Sequence, residues 1–248
     1  MDGGGLTRDH IIWAYRILLD RDPESEAVIL PKLKAYQSTR QLRAESIAVR
    51  RIDLGGGLGV GYRGEPEVDL AAYAALVRDL ARGLDLELVL EPGRFLVAQA
   101  GVLLSRVLYV KEGGARPCVI LDAGMNDLLR PALYDAYHPI LPVVEPEPGA
   151  PRRAVDVVGP ICESADVFAR ARELPPLQAQ DLVAFAGAGA YGAVMASGYN
   201  SRPLAAEILV EDQRFAVVRP RQEPDVRFAH ETLPPWLAAT DLTRNATG

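Results

Sequence analysis

The sequence predicts an α+β protein with a helical N-terminal module, βα units and a C-terminal β-sandwich or barrel domain. Three observations support this fold class. Apolar residues recur at helical spacing before residue 50, a glycine run links a short strand to an amphipathic helix, and alternating strand patterns dominate after residue 100. We therefore expect three segments, at residues 1–50, 51–104 and 105–248.

Composition and charge exclude several function classes. The chain has 248 residues, a formal net charge of −6 and 49% hydrophobic residues, which is typical of a soluble globular protein. The acidic balance argues against a nucleic-acid partner, and no run approaches the roughly 18 apolar residues of a membrane-spanning helix. Met1–Gly5 lacks the basic start of a signal peptide. Because Cys118 and Cys162 are the only cysteines, we expect no disulfide framework, no metal site and a cytoplasmic location.

Residues 1–50 are predicted to form the helical module. Thr7 or Asp9 can cap its first helix, and Ile11, Tyr15 and Leu18 follow at helical spacing. We interpret this segment as an interaction or spacer module, because it holds no catalytic constellation.

The next segment contains one strand–helix–strand unit. A strand at Arg51–Leu54 leads into the glycine run Gly55–Gly61, Asp69 can cap the following helix, and Leu86–Leu90 forms the second strand. Such a unit pairs its strands in parallel, with a right-handed crossover.

From about residue 100 the pattern is mostly β, which suggests a sandwich or barrel. The connection Glu211–Gln213 is typical of a hairpin. The predicted strands are Val102–Val110, Cys118–Leu121, Ile140–Val144, Ala154–Val158, Leu182–Phe185, Glu207–Val210 and Arg214–Val218.

Two elements of the strand–helix–strand unit indicate a phosphorylated cofactor. The backbone of Gly55–Gly57 can approach a phosphate, although the run fits neither a dinucleotide fingerprint nor a P-loop. Glu91–Arg94 ends the second strand at the same edge, where Arg94 can neutralise an anion and Glu91 can bind a protonated ring nitrogen. Pyridoxal phosphate has both groups. The alternatives are a tight turn that touches nothing and a surface Glu–Arg pair.

Three further patterns are candidate site residues. Cys162, followed by Glu163 after a Gly-Pro bend, can be a proton donor or a buried inert thiol. Arg130 and Tyr134 lie four residues apart, so on a helix they share a face and both can bind a carboxylate; the alternative is a solvated arginine face. Tyr191 follows a strand and can meet an anion or pack as an ordinary tyrosine.

Taken in order, these motifs resemble one family closely: the diaminopimelate decarboxylases, among the alanine-racemase-like decarboxylases that depend on pyridoxal phosphate. The resemblance runs from about Arg51 to about Leu237, and five motifs in the right order make it specific. The motifs are Leu54–Gly59, Glu91–Arg94, Asp122–Pro131, Gly159–Asp166 and Gly187–Gly192.

The resemblance implies a role for each candidate residue. The implied reaction removes CO₂ from meso-diaminopimelate to give lysine, with the cofactor ring as electron sink. Cys162 resembles the family's proton donor, which reaches the site across a dimer interface, so a homodimer through the β domain is implied. The implied cofactor-binding residues are Gly57, Glu91, Pro92, Gly93, Arg94 and Tyr191. The implied substrate-binding residues are Arg94, Arg130, Tyr134, Glu163 and Tyr191.

The sequence departs from the family at its N-terminal side. The family's catalytic domain is a (β/α)₈ barrel of about 250 residues, and residues 51–104 match only its last two strands. The family's Schiff-base lysine motif has no counterpart, because Lys34 lies in a helical pattern and Lys111 in a turn. His138, like the other two histidines, is not expected to stack on the ring. Residues 6–50 instead resemble, more weakly, a helical module that precedes some methyltransferases and glycosyltransferases.

Two hypotheses follow from this departure. In the first, the chain is a diaminopimelate decarboxylase by descent that does not turn over alone and is completed by another chain. In the second, it is a non-catalytic truncated or fused remnant that serves as a dimerisation or interaction module. An error in the gene start or assembly would also give this pattern.

Overall fold

The structure is a computed structural model that describes residues 48–82 and 85–238, together with Thr39, Leu42 and residues 44–46. The predicted helical module, with Thr7, Asp9 and Lys34, therefore lies outside the described residues. Contacts divide the chain into two units at Met195/Ala196. Over the described ranges, no helix combines the length and the apolar character needed to cross a membrane.

The predicted strand–helix–strand unit is confirmed. Strand β1 (Arg51–Asp53) pairs in parallel with β2 (Glu87–Val89), and helix α1 (Leu70–Ala81) connects them. The Asp69 side chain caps α1 by accepting from the Ala72 N–H at 2.9 Å. A parallel pair places both carboxyl ends at one edge, so the glycine run and the Glu91 turn leave the sheet side by side.

A short helix leads from this unit into the sheet domain. Helix α2 (Gly93–Val97) begins directly after the Glu91 turn and continues as a 3₁₀ turn over Ala98–Ala100. Ala98 is fully buried, so the 3₁₀ turn packs closely against the residues around it.

The first unit contains a six-stranded mixed sheet in the order β5-β8-β3-β4-β6-β7. Its β4–β6 pair is parallel and the other pairs are antiparallel. Helix α3 (Arg130–Tyr134) lies between β4 and β5 in the chain. The strands are β3 (Leu103–Lys111), β4 (Cys118–Leu121), β5 (Ile140–Pro142), β6 (Arg153–Val158), β7 (Val167–Leu174) and β8 (Leu182–Phe185).

The core of this sheet is apolar and closely packed. Val107, Leu121 and Phe185 have no exposed surface, and Phe168 packs on Phe185 with ring centres 4.6 Å apart. The predicted β-sandwich or barrel is thus confirmed at the level of a β-rich domain, built on one mixed sheet.

Strand β7 is the strand that the sequence pattern missed. It lies at the edge of the sheet and carries Arg170, Arg172 and Glu173, so its solvated side breaks the apolar alternation. Ala171 has a left-handed backbone (φ 49°), which interrupts the regular pairing with β6.

The second unit contains the predicted hairpin. Strand β9 (Glu207–Glu211) pairs antiparallel with β10 (Arg214–Arg219), and Asp212 takes the left-handed turn position at φ 53°. Short helical turns cover Tyr199–Ser201 and Pro224–Phe228, and helix α4 spans Pro235–Ala238.

Candidate functional site

The glycine run and the Glu91 turn are joined by backbone hydrogen bonds. Leu54 N–H donates to the Val89 carbonyl at 3.0 Å, and Glu91 N–H donates to the Gly55 carbonyl at 2.9 Å. A Cβ on Gly56 would lie 2.6 Å from the Glu91 carbonyl oxygen, so only glycine permits this approach. Gly57 has φ +105°, a conformation that glycine adopts readily. We call Gly55–Gly57, Glu91–Arg94 and Tyr191 the glycine edge.

Glu91 and Arg94 are both exposed at this edge. The Gly93 N–H donates to the Glu91 carbonyl at 2.8 Å, so it is already used in the turn. A Cβ on Gly93 would meet nothing within 4 Å, which leaves open space beside Arg94. The turn therefore offers a positive side chain next to an empty volume, as an anion site requires.

The close packing of its own turn brings Tyr191 next to Arg94. Ala188 N–H donates to the Gly101 carbonyl at 2.8 Å, and Gly189 N–H donates to the Ala98 carbonyl at 3.0 Å. A Cβ on Gly189 would collide with the Val97 carbonyl oxygen. As a result, the Arg94 guanidinium carbon lies 5.5 Å from the centre of the Tyr191 ring, within cation–π range.

A cleft of about 410 Å³ adjoins the loop after the glycine run. Its lining includes Glu65 and Glu67 together with Gly59 and Phe95. The backbone N–H groups of Arg63 and Tyr62 hold the pKa of Glu65 below its ordinary value, so this carboxylate stays charged. The two carboxylates disfavour a phosphate in this cleft.

Arg130 belongs to a second, buried group of residues. It is 8% exposed, at the start of α3, and its Nη1 donates to His138 Nε2 at 3.0 Å and to the Tyr62 hydroxyl at 3.3 Å. The guanidinium carbon lies 5.2 Å from the centre of the Tyr62 ring. Tyr134, on the same helix, is 63% exposed. We call Tyr62, Arg130 and His138 the arginine cluster.

His138 is 2% exposed, and its Nδ1 lies 3.0 Å from the Ala186 carbonyl oxygen. Tyr62 contacts His138 edge-on, with ring centres 5.4 Å apart, and also packs on Gly187, where a Cβ would come within 2.8 Å of its ring. Sequence reasoning missed Tyr62 and His138 as site residues. Tyr62 follows the glycine run directly, but no sequence pattern reveals that it meets Arg130 across 68 residues.

Cys162 and Glu163 lie in a turn that a buried carboxylate shapes. Asp166 accepts from Met125 N–H and from Ile161 N–H, each at 2.7 Å, and thereby ties this turn to the one after β4. Cys162 is exposed, so the alternative of a buried inert thiol does not describe it. The Glu163 carboxylate accepts from Ala165 N–H at 3.2 Å. The role of Asp166 in shaping the turn was not visible in the sequence.

Comparison with known families agrees with this geometry. The family model described as "Pyridoxal-dependent decarboxylase, C-terminal sheet domain" matches residues 15–189. Because this match covers more than half of the chain, the chain belongs to the pyridoxal-dependent decarboxylase family. The resemblance of the five sequence motifs is thereby confirmed.

Within that family, several relatives are diaminopimelate decarboxylases. The chain is 46% identical over 206 residues to the enzyme of Zymomonas mobilis, covering 82% of this chain and 48% of that protein. It is 48% identical over 195 residues to that of Pseudomonas aeruginosa, covering 79% and 46%. A crystal structure of diaminopimelate decarboxylase from Helicobacter pylori complexed with L-lysine has a TM-score of 0.75 at 41% identity, covering 82% of this chain and 50% of that one. The chain spans about half the length of these relatives.

The family implies a pyridoxal phosphate cofactor, and the glycine edge fits its phosphate. The open volume beside Gly93, the Arg94 guanidinium and the neighbouring Tyr191 are suited to an anion, and the exposed Glu91 carboxylate is suited to a ring nitrogen. The lysine amine that would bind the cofactor covalently is a separate requirement. Lys111 is the sole lysine among the described residues, and it ends β3 about 26 Å along the strand from Leu103, the strand's first residue after α2 and its 3₁₀ turn. Lys32 and Lys34 lie outside the described residues.

Proposed function

We propose that this chain supplies the phosphate-binding and carboxylate-binding part of a pyridoxal-phosphate-dependent decarboxylase for meso-diaminopimelate, which yields L-lysine in lysine biosynthesis. The observation that carries the proposal is the convergence of the glycine run, the Glu91 turn and Tyr191 at one edge. In this proposal residues 51–104 carry the last two strands of the family's barrel, and residues 105–248 form its β domain.

Each side chain then has a chemical task. Arg94 and Tyr191 bind the cofactor phosphate, the backbone at Gly57 and the space beside Gly93 accommodate it, and Glu91, directly before Pro92, holds the proton on the ring nitrogen. When bound, pyridoxal phosphate supplies an electron sink for the carbanion that CO₂ leaves behind. Arg94 and Tyr191 also face the substrate.

The substrate-facing residues complete the proposal. Arg130 binds a substrate carboxylate, with Tyr134 at the exposed end of the same helix. Glu163 selects the diaminopimelate substrate, and the exposed Cys162 donates a proton to the product carbanion across a homodimer interface. A cytoplasmic location suits the two free thiols.

A second candidate function is a non-catalytic dimerisation or interaction module. A separate observation favours it: Lys111, the sole lysine among the described residues, lies at the end of β3 that is remote from α2. In this case the chain captures no cofactor covalently, and no CO₂ is released even when another chain supplies an amine.

A reduction experiment separates the two candidates. Purified full-length chain is mixed with pyridoxal phosphate, reduced with borohydride and digested for peptide mass analysis, and CO₂ release from labelled meso-diaminopimelate is measured in parallel. We expect no reduced adduct on Lys32, Lys34 or Lys111 and no CO₂ from the chain alone. Adding the separately expressed N-terminal half of the Zymomonas mobilis enzyme should restore CO₂ release. Failure of this complementation, with intact folding of both halves, would favour the non-catalytic module.

A further inference from the structure

The hydrogen bonds of His138 fix its protonation and its tautomer. A carbonyl oxygen can only accept, so the 3.0 Å contact to Ala186 requires a proton on Nδ1. An arginine N–H can only donate, so the 3.0 Å contact to Arg130 requires a lone pair on Nε2. His138 is therefore a neutral imidazole that donates from Nδ1 and accepts at Nε2.

The surroundings keep this imidazole neutral. Burial lowers the pKa of His138, and the charges of Arg130 and Arg172 lower it further, against the Ala186 carbonyl, which raises it. Arg172 comes from β7 and donates to the His138 carbonyl at 2.9 Å. Among the described residues, the titratable side chain of Tyr62 also packs on the ring, through an edge-on contact. At neutral pH, Nε2 of His138 therefore remains unprotonated and can accept the hydrogen bond from Arg130.

The same contacts determine which part of Arg130 is left for a ligand. Both described hydrogen bonds of its guanidinium, to His138 and to Tyr62, leave from Nη1. A guanidinium has five N–H donors in one plane, and Nη1 carries two of them. The adjacent Nε–H and Nη2–H donors form the pair that suits a carboxylate with two parallel hydrogen bonds.

We propose that His138 is a positioning residue that fixes Arg130 through Nη1 and so reserves the Nε/Nη2 edge for a substrate carboxylate. The identity of that anion rests on the proposed function, whereas the fixing of Arg130 does not. Tyr62 assists as a second acceptor for Nη1.

Two conservative variants separate the two sides of the imidazole. In H138Q, the amide oxygen lies near the position of Nε2 and can still accept from Arg130. In H138N, the amide nitrogen lies near the position of Nδ1 and can still donate to Ala186, but the acceptor at the Nε2 position is lost and Arg130 keeps only Tyr62. Both variants replace the ring by an amide, and H138N also lacks one methylene of H138Q, so the folding of each variant is checked separately.

The experiment reads Arg130 directly in the full-length chain. The ¹⁵N-resolved guanidinium N–H signals are assigned with R130K, and L-lysine affinity is measured on the same samples. We expect resolved, slowly exchanging Arg130 signals in the wild type and in H138Q. In H138N they should collapse, and L-lysine binding should weaken about tenfold, the cost of one hydrogen bond to a charged group.

Each outcome decides one proposal. Unchanged Arg130 signals in H138N, or equal collapse in both variants, would overturn the positioning role. If the wild type shows ordered Arg130 signals that H138N abolishes, but no L-lysine binding at any concentration, the positioning role stands and the proposed function fails. Backbone amide spectra of the core strands β4 and β6 report whether each variant remains folded.

Discussion

The glycine edge and the arginine cluster are organised by different forces. At the glycine edge, backbone hydrogen bonds shape the turns, while Arg94, Glu91 and Tyr191 are exposed. In the arginine cluster, Arg130 and His138 are buried and hydrogen-bonded to one another. The comparison teaches that the proposed carboxylate-binding side is ordered by this chain's own contacts, whereas the proposed cofactor-binding side presents exposed charge that a ligand would order.

The largest effect should come from removing the buried arginine. R130A leaves Nε2 of His138 and the Tyr62 hydroxyl without their donor in a buried space, so we expect a loss of about 3 kcal/mol in the free energy of unfolding. The matched variant R94A removes an exposed arginine and should change that free energy by less than about 0.5 kcal/mol. Urea unfolding of both variants measures the difference. Equal losses would remove the contrast between the two regions.

Gly189 tests the backbone packing that brings Tyr191 to Arg94. G189A places a methyl group against the Val97 carbonyl and 2.9 Å from the Gly101 nitrogen, so the turn must move. We expect a loss of about 2 kcal/mol in stability and weaker binding of pyridoxal phosphate. G114A is the control for a glycine-to-alanine change in open space, because a Cβ on Gly114 would meet nothing within 4 Å; its positive φ, which Gly189 does not share, adds a backbone cost but no collision. If both variants bind the cofactor as well as the wild type, the close approach at Gly189 does not position the site.

The arginine cluster should give the chain a pH-dependent stability. Because the pKa of His138 is lower in the folded chain than in the unfolded one, the unfolded state binds more protons below about pH 6.5. Stability should therefore fall as the pH drops below that value. The lowered pKa of Asp156, caused first by its hydrogen bond from Arg116, acts in a more acidic window below about pH 4. Denaturant unfolding between pH 5 and pH 7.5 measures the slope, which H138Q should flatten and D156N should leave in place.

The smallest effect on stability should come from Cys162. Its side chain is exposed, so C162A should leave the free energy of unfolding and cofactor binding unchanged within error. In a decarboxylase reconstituted with a barrel half, C162A should nevertheless reduce product formation strongly, since it removes the proposed proton donor. C118A is the control: it removes a half-buried thiol whose pKa is raised, first by burial and further by Asp156. Full activity of C162A would show that another group supplies the proton.

The sequence predicted the parts of the fold that depend on local pattern. The Asp69 cap, the parallel strands around the glycine run and the β9–β10 hairpin follow from spacing and turn residues, and the structure contains them. Strand β7 was missed because its charged edge residues break the apolar alternation.

The candidate site was predictable only where its residues lie in recognisable motifs. Glu91, Arg94 and Tyr191 each follow a strand, and two of them meet as expected. Tyr62, His138 and Asp166 act through contacts across distant parts of the chain, which composition and spacing do not encode. That is why the residues of the glycine edge could be predicted from the sequence, whereas in the arginine cluster only Arg130 was a candidate and its partners Tyr62 and His138 were not.

The phosphorus NMR signal of pyridoxal phosphate, titrated with the full-length chain, tests the central claim most directly. The account predicts a shifted phosphate resonance with the wild type, and a shift in R94A that needs about tenfold more protein. R78A, which changes an exposed arginine in α1, should match the wild type. No shift with the wild type, or the same titration curve for R94A, would contradict the claim that the glycine edge holds the phosphate.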